Sequence, residues 1–473
     1  MGLWDKRGDM IVHEEDPYNA EPPRSGLADR VLTPVESFYS RNHGPIPQLD
    51  PQTWRLRVDG LVEQALELSL AELRERFTEQ ALVATLQCAG NRRAGLIEVR
   101  DIPGEDPWGP CATSTAQWTG VRLADVLAAA GLRPEVAHVA FTAPDVSQLA
   151  DPAQPYGSSI TATKAQAGEV LLAWAMNGHP LPRVHGAPVR VVVPGHIGAR
   201  SVKWVQTITA QVQPSDNYFQ ATAYRLLPAE ADPDTAGPGD GLSLSAVAVN
   251  ADILRPDDNA TVTVGPIEVT GYAFAGDDRG IARVDVSLDG GRSWVQADLD
   301  EQVSPWAWRH WRTTLAIPAG DTVITARAWD TSSATQPESP VHLWNPKGYV
   351  NNSWAHIHLT AHPWTARSTD CRPDVRAPPP LAPPGAGARM LTAIVLTGRG
   401  AGPARSHADH GQTRPLTSGD DRPDPRMALI TGARFRGKNG FKTRPVSVRI
   451  RPRARRGRPA RLLRSVRHLM TMR

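Results

Sequence analysis

The residues best placed to do chemistry stand in Thr85-Leu86-Gln87-Cys88-Ala89-Gly90-Asn91-Arg92-Arg93. A cysteine is followed there by a glycine turn and two adjacent arginines. Fixed cations stabilise thiolate over thiol, so Cys88 is expected to titrate below an ordinary cysteine. Thiolate is a soft metal ligand, and forked guanidinium groups bind oxyanions, so this loop fits metal chemistry on a small anion. A lone cysteine is more often an inert core residue, and the neighbouring charges are what weigh against that here. The apolar run 81–86 reads as a buried strand that delivers the loop. Strand ends are where α/β domains place ligand crevices.

Two further stretches carry polar and cationic groups at fixed spacing. One is Phe38-Tyr39-Ser40-Arg41-Asn42-His43-Gly44-Pro45-Ile46-Pro47. The other runs His185-Gly186-Ala187-Pro188-Val189-Arg190, then Val191-Val192-Val193-Pro194-Gly195, then Gly198-Ala199-Arg200-Ser201-Val202-Lys203-Trp204. With the cysteine loop, they resemble the cofactor and substrate motifs of the sulfite oxidase family of molybdopterin-dependent oxidoreductases, in a heme-free form like its plant and bacterial members. The resemblance covers roughly residues 20–363 and keeps the spacing between motifs.

The resemblance implies a molybdenum–molybdopterin cofactor with Cys88 as the protein's metal ligand, and no heme. Tyr39, Ser40, Arg41, Asn42, His43, Asp145, His185, Arg190, Ser201, Val202 and Lys203 are then expected to hold the pterin and its phosphate. Arg41, Arg93, Trp108, Tyr224 and Lys347 are expected around the substrate, with Trp108 one residue out of register. Tyr156 is the other tyrosine in a family-like segment, and Tyr224 the better match to the active-site position. Lys347, in Trp344-Asn345-Pro346-Lys347-Gly348, stands where animal and plant members carry arginine; it keeps the charge and loses the fork. The implied reaction is oxo transfer that converts sulfite to sulfate, with electrons passed to an external acceptor such as oxygen or cytochrome c. The alternatives are a related molybdenum enzyme acting on nitrate or a sulfoxide, and, from a different class, a non-catalytic β-sandwich binding protein.

These residues need elements to position them. Residues 54–60 alternate as a half-buried strand, and Ser69-Leu70-Ala71-Glu72 is a capping box opening a helix through Arg76. Residues 123–130 read as a helix stopped by Gly131, 138–142 as a strand, 168–176 as a buried helix, and 189–193 and 202–212 as strands. Mixed strands and helices imply one α/β unit. After a Pro/Gly/Asp-rich linker at 228–241, strands are expected at 260–264, 268–274, 282–288, 294–299, 312–317 and 323–329, with a hairpin turn at Asp289-Gly290-Gly291. That rhythm predicts an immunoglobulin-like sandwich, which by resemblance is a homodimerisation module. The overall class is α+β: an extended arm at 1–24, a molybdopterin-binding catalytic domain at 25–240, the sandwich at 241–365, and a disordered Pro/Arg-rich tail at 366–473.

Composition limits the partners. A length of 473 residues implies two or three domains. The net charge of +3 hides a tail carrying about twenty arginines, so the part before it is net acidic and nucleic-acid binding is not expected of it. Cys88, Cys111 and Cys371 lack the spacing of a disulfide framework or zinc knuckle. Neither a signal peptide nor an apolar run near the length of a membrane helix is evident, and a cytoplasmic protein is expected.

Overall fold

The computed structural model describes residues 2–363. The expected disordered tail and Cys371 lie outside the described residues.

The amino-terminal half carries strands β1 (Ile11–Glu15), β2 (Tyr18–Glu21), β3 (Arg55–Gly60), β4 (Leu66–Ser69), β5 (Glu79–Gln87) and β6 (Thr113–Arg122). These are followed by β7 (His138–Ser147), β8 (Gln154–Thr161), β9 (Leu171–Met176), β10 (His179–Pro180), β11 (Arg190–Val192) and β12 (Thr207–Gln211). One sheet runs β4-β3-β12-β7-β8; the other runs β10-β9-β6-β5, with β11 also paired to β9. The β3–β12 pair is parallel. In β3, Leu56 and Val58 are buried while Arg55 and Arg57 are exposed, the two-residue period of a strand with one face on the core. The Ser69 hydroxyl accepts from the Glu72 amide and the Glu72 carboxylate accepts from the Ser69 amide, closing the expected capping box on helix Leu70–Arg76. Helix Leu123–Ala130 ends at Gly131, where φ of +71° suits glycine.

Two expectations are corrected. The helix read at 168–176 is strand β9, in which every residue but Ala175 is buried. Leu172 and Trp174 pack into one hydrophobic cluster and Leu171, Ala173 and Met176 into another, so both faces are covered, and an apolar run covered on both faces has no period to separate strand from helix. The first residues, read as an extended arm, include the β1–β2 hairpin, and all four residues of β2 are buried. The α/β unit is accordingly mostly sheet with few helices.

The second half is a sandwich. Asn250–Arg255, Gly265–Phe274, Arg309–Ile317 and Asp298–Leu299 form one sheet; Ala260–Thr263, Ala355–His362, Gly320–Asp330, Ile281–Ser287 and Val295–Gln296 form the other. Val269, Ile281, Val284, Val286, Trp311, Ile324 and Ile357 fill the space between them. The strand expected at 294–299 is broken in two, and the strands at Asn250–Arg255 and Ala355–His362 were not anticipated. Among the described residues no helix is long and apolar enough to cross a membrane.

Candidate active site

Strand β5 carries the cysteine loop into the interior. The Cys88 amide donates to the Ala112 carbonyl at 2.9 Å, and the Asn91 amide donates back to the Cys88 carbonyl at 3.1 Å, which shapes the turn. Cys88 is buried. Its thiol titrates above the ordinary value, because burial outweighs the nearby Arg93 and Arg41 charges. This corrects the expected lowering: the two arginines act in the expected direction, but the strand end sits too deep for them to prevail.

Cys88 opens onto a cleft lined by polar and cationic side chains. Tyr39, Ser40, Arg41, Asn42 and His43 line one wall. That segment is held between β6 and the hairpin: the Tyr39 amide donates to the Ser114 hydroxyl at 3.2 Å, and Ser40 exchanges backbone hydrogen bonds with Ala20 at 2.8 and 2.9 Å. His185, Arg190, Ser201 and Lys203 also line the cleft, with Asp145, Tyr156 and Tyr224. Arg190 donates to the carbonyls of His185 at 3.0 Å and Ser201 at 3.1 Å. Burial lowers its pKa to about 10. Lys203 donates to the Arg41 carbonyl at 3.0 Å, and burial then the neighbouring Arg190 drive its pKa down. His43 and His185 are held neutral, by burial first and by adjacent cations second. His43 meets the Tyr224 hydroxyl at 2.5 Å, and burial keeps that phenol protonated.

The donor set fits an anionic, phosphate-bearing cofactor. Arg41 and Arg190 bring guanidinium cations into the buried cleft and Lys203 adds an amine donor, and the Ser40 hydroxyl and one Asp145 carboxylate oxygen have no hydrogen-bond partner in the protein. Among the described residues no three His, Cys, Asp or Glu side chains converge as a metal site. A metal at Cys88 would therefore draw its other ligands from the cofactor, as a dithiolene-bearing pterin allows.

A second cavity forms the mouth, where Arg41 and Tyr224 meet Glu105, Lys347 and Tyr349. Arg93 is buried beside it, stacked over the Tyr349 ring at 5.3 Å. Trp108 and Val202 are not among the residues lining the two cavities. Trp108 is fully buried against His13, ring centroids 4.5 Å apart, and lies outside both cavities; Val202 packs into the hydrophobic core. The Trp108 indole is enclosed by a hydrophobic cluster, and a valine side chain has no polar group to offer the cleft.

Lys6 was missed. Its buried ammonium donates to the carbonyls of Val35 and Phe38 at 2.7 and 2.8 Å and to the His185 ring at 2.6 Å. Burial lowers the Lys6 pKa to about 7. A single lysine in a polar leader, 179 residues from its partner, carries no local signal.

Residues 43–219 match the oxidoreductase molybdopterin binding domain, and residues 243–362 the Mo-co oxidoreductase dimerisation domain. The chain is 44% identical to sulfite oxidase of Gallus gallus over 356 residues, covering 73% of this chain and 76% of that protein. It is 37% identical to sulfite oxidase of Arabidopsis thaliana over 371 residues, covering 74% and 93%. Among solved structures it is similar to the sulfane dehydrogenase SoxCD from Paracoccus pantotrophus, with a TM-score of 0.64 and 26% identity over 74% of this chain and 86% of that one.

Proposed function

Because this chain belongs to the sulfite oxidase family of molybdopterin-dependent oxidoreductases, we propose that it oxidises sulfite to sulfate and passes two electrons to an external acceptor, oxygen or cytochrome c. The observation that carries this reading is the convergence of one buried cysteine with permanent cations in a single cleft and its mouth. The molybdenum–pterin cofactor, when bound, supplies the two-electron oxo-transfer chemistry.

The residues supply the rest. Cys88 would hold the metal. Arg190, His185 and Lys203 would hold the phosphate, and Ser40 and Asp145 would meet polar groups of the pterin. Sulfite is an anion, so its pocket needs fixed positive charge; Arg41, Arg93 and Lys347 are the cations at the mouth that would neutralise and orient it. Tyr224 stays protonated and, held by His43, presents a hydroxyl donor between the two cavities. The dimerisation-domain match supports a homodimer.

The test is sulfite-dependent ferricyanide reduction by purified protein of known molybdenum content, with nitrate and methionine sulfoxide assayed against a reduced dye. Sulfite turnover at about one molybdenum per chain is the expected result. A loaded protein inert to sulfite and active on nitrate or a sulfoxide would overturn the reading.

A further inference from the structure

The mouth of the cleft contains a feature that its cations do not need. An anion pocket gains by leaving its positive charges open, yet here a carboxylate lies among them. Glu105 meets Arg93 Nη2 at 3.0 Å and lies 3.9 Å from the Lys347 ammonium. Arg93 Nε and Nη1 donate to the backbone carbonyls of Lys347 and Asp106 at 3.1 and 2.9 Å, so Nη2 is the corner left for a ligand, and Glu105 takes it. The neighbouring Asp106 stands 4.0 Å from Arg41. Three cations are therefore faced by two carboxylates, and the mouth keeps one net positive charge instead of three.

Glu105 is not locked in place. Its side chain is 20% exposed, it makes no hydrogen bond within its own loop, and it follows Gly104, whose φ of +77° places the chain where glycine turns freely. Arg93 is largely buried, so its charge needs a partner, and the carboxylate leaves at little cost only when an incoming anion takes its place.

We propose that Glu105 is an internal competitor for the substrate anion, occupying the position between Arg93 and Lys347 and turning toward solvent when an oxyanion enters. The inference rests on the sulfite reading for its substrate, while the competition itself concerns any oxyanion that those cations bind. The consequence is selectivity. A singly charged, weakly bonding anion does not displace a carboxylate held by two cations, whereas a doubly charged, three-oxygen anion does. Glu105 thereby sets affinity for the anion and leaves the chemical step alone, since a group that has turned away contributes equally to ground and transition states.

The experiment uses the full, molybdenum-loaded chain and two readouts: steady-state sulfite kinetics, and calorimetric binding of inorganic sulfate at low and high salt. Glu105→Gln is expected to lower the sulfite KM and the sulfate Kd together, roughly three- to tenfold at low salt and less at high salt, with kcat unchanged. Glu105→Asp, which keeps the charge, should stay close to the parent in both. If Glu105 is only a strut for its loop, Glu105→Gln will raise KM or leave both constants unchanged, and the proposal falls. A parent protein inert to sulfite whose sulfate Kd still tightens in Glu105→Gln supports the competition and overturns only the substrate assignment.

Discussion

At the scale of single residues, burial decides the chemistry of this cleft more than charge does. Cys88, His43, His185 and Lys203 all shift in the direction that disfavours their ionised forms. The histidines give a sign that can be checked. A histidine whose folded pKa lies below the ordinary 6.5 takes up less acid folded than unfolded, so the unfolded chain gains protons as pH falls below 6.5. The stability His43 contributes is present above that pH and lost below it. Cofactor-free chain should lose up to about 1.4 kcal/mol of unfolding free energy per pH unit for each such histidine. Urea titrations at pH 6.5 and one unit lower should show a smaller loss for His43→Gln than for the parent. Most residues lining the cleft were legible from the motifs that hold them. Lys6 and Glu105 were not, because Lys6 acquires meaning from His185 and Glu105 from standing between Arg93 and the distant Lys347.

At the scale of elements, the β1–β2 hairpin serves the site from outside it. Its last residue, Glu21, is buried and accepts from the amides of Gly109 at 2.5 Å and Cys111 at 2.8 Å, with His13 at 3.0 Å. One carboxylate thereby satisfies backbone donors on the segment between the 104–108 loop and β6. Glu21→Ala leaves those donors buried without a partner and is expected to cost about 2–3 kcal/mol, read as a lower urea midpoint with an unchanged slope. Glu21→Gln, which keeps an acceptor oxygen, should cost less. The helices were legible where a cap or a terminal glycine marked them, as at Ser69 and Gly131. The hairpin was not, since its burial comes from Ala20 pairing with Ser40 and from the elements that cover it, which local polarity does not report.

At the scale of the whole molecule, the sandwich takes part in the cysteine loop. Asp252, on a buried sandwich strand, pairs with both Arg24 and Arg92, the latter at 3.0 Å, and Arg92 also donates to the Ser353 carbonyl at 2.6 Å. Asp252→Ala strands two largely buried guanidinium groups. It is expected to cost about 3–5 kcal/mol, measured by chemical unfolding, and to raise the sulfite KM through the adjoining Arg93. The sequence by itself determined the family, the cofactor class, the two-part architecture and most cleft residues, because each of those is written in contiguous motifs whose spacing survives without a structure. Tertiary structure alone decided that Cys88 lies too deep to be acidified by its arginines, that Trp108 faces the core, that Lys6 reaches His185, and that Glu105 closes the charge at the mouth. Those outcomes depend on burial and on pairs far apart along the chain, and both come into being only when the sheets close over them.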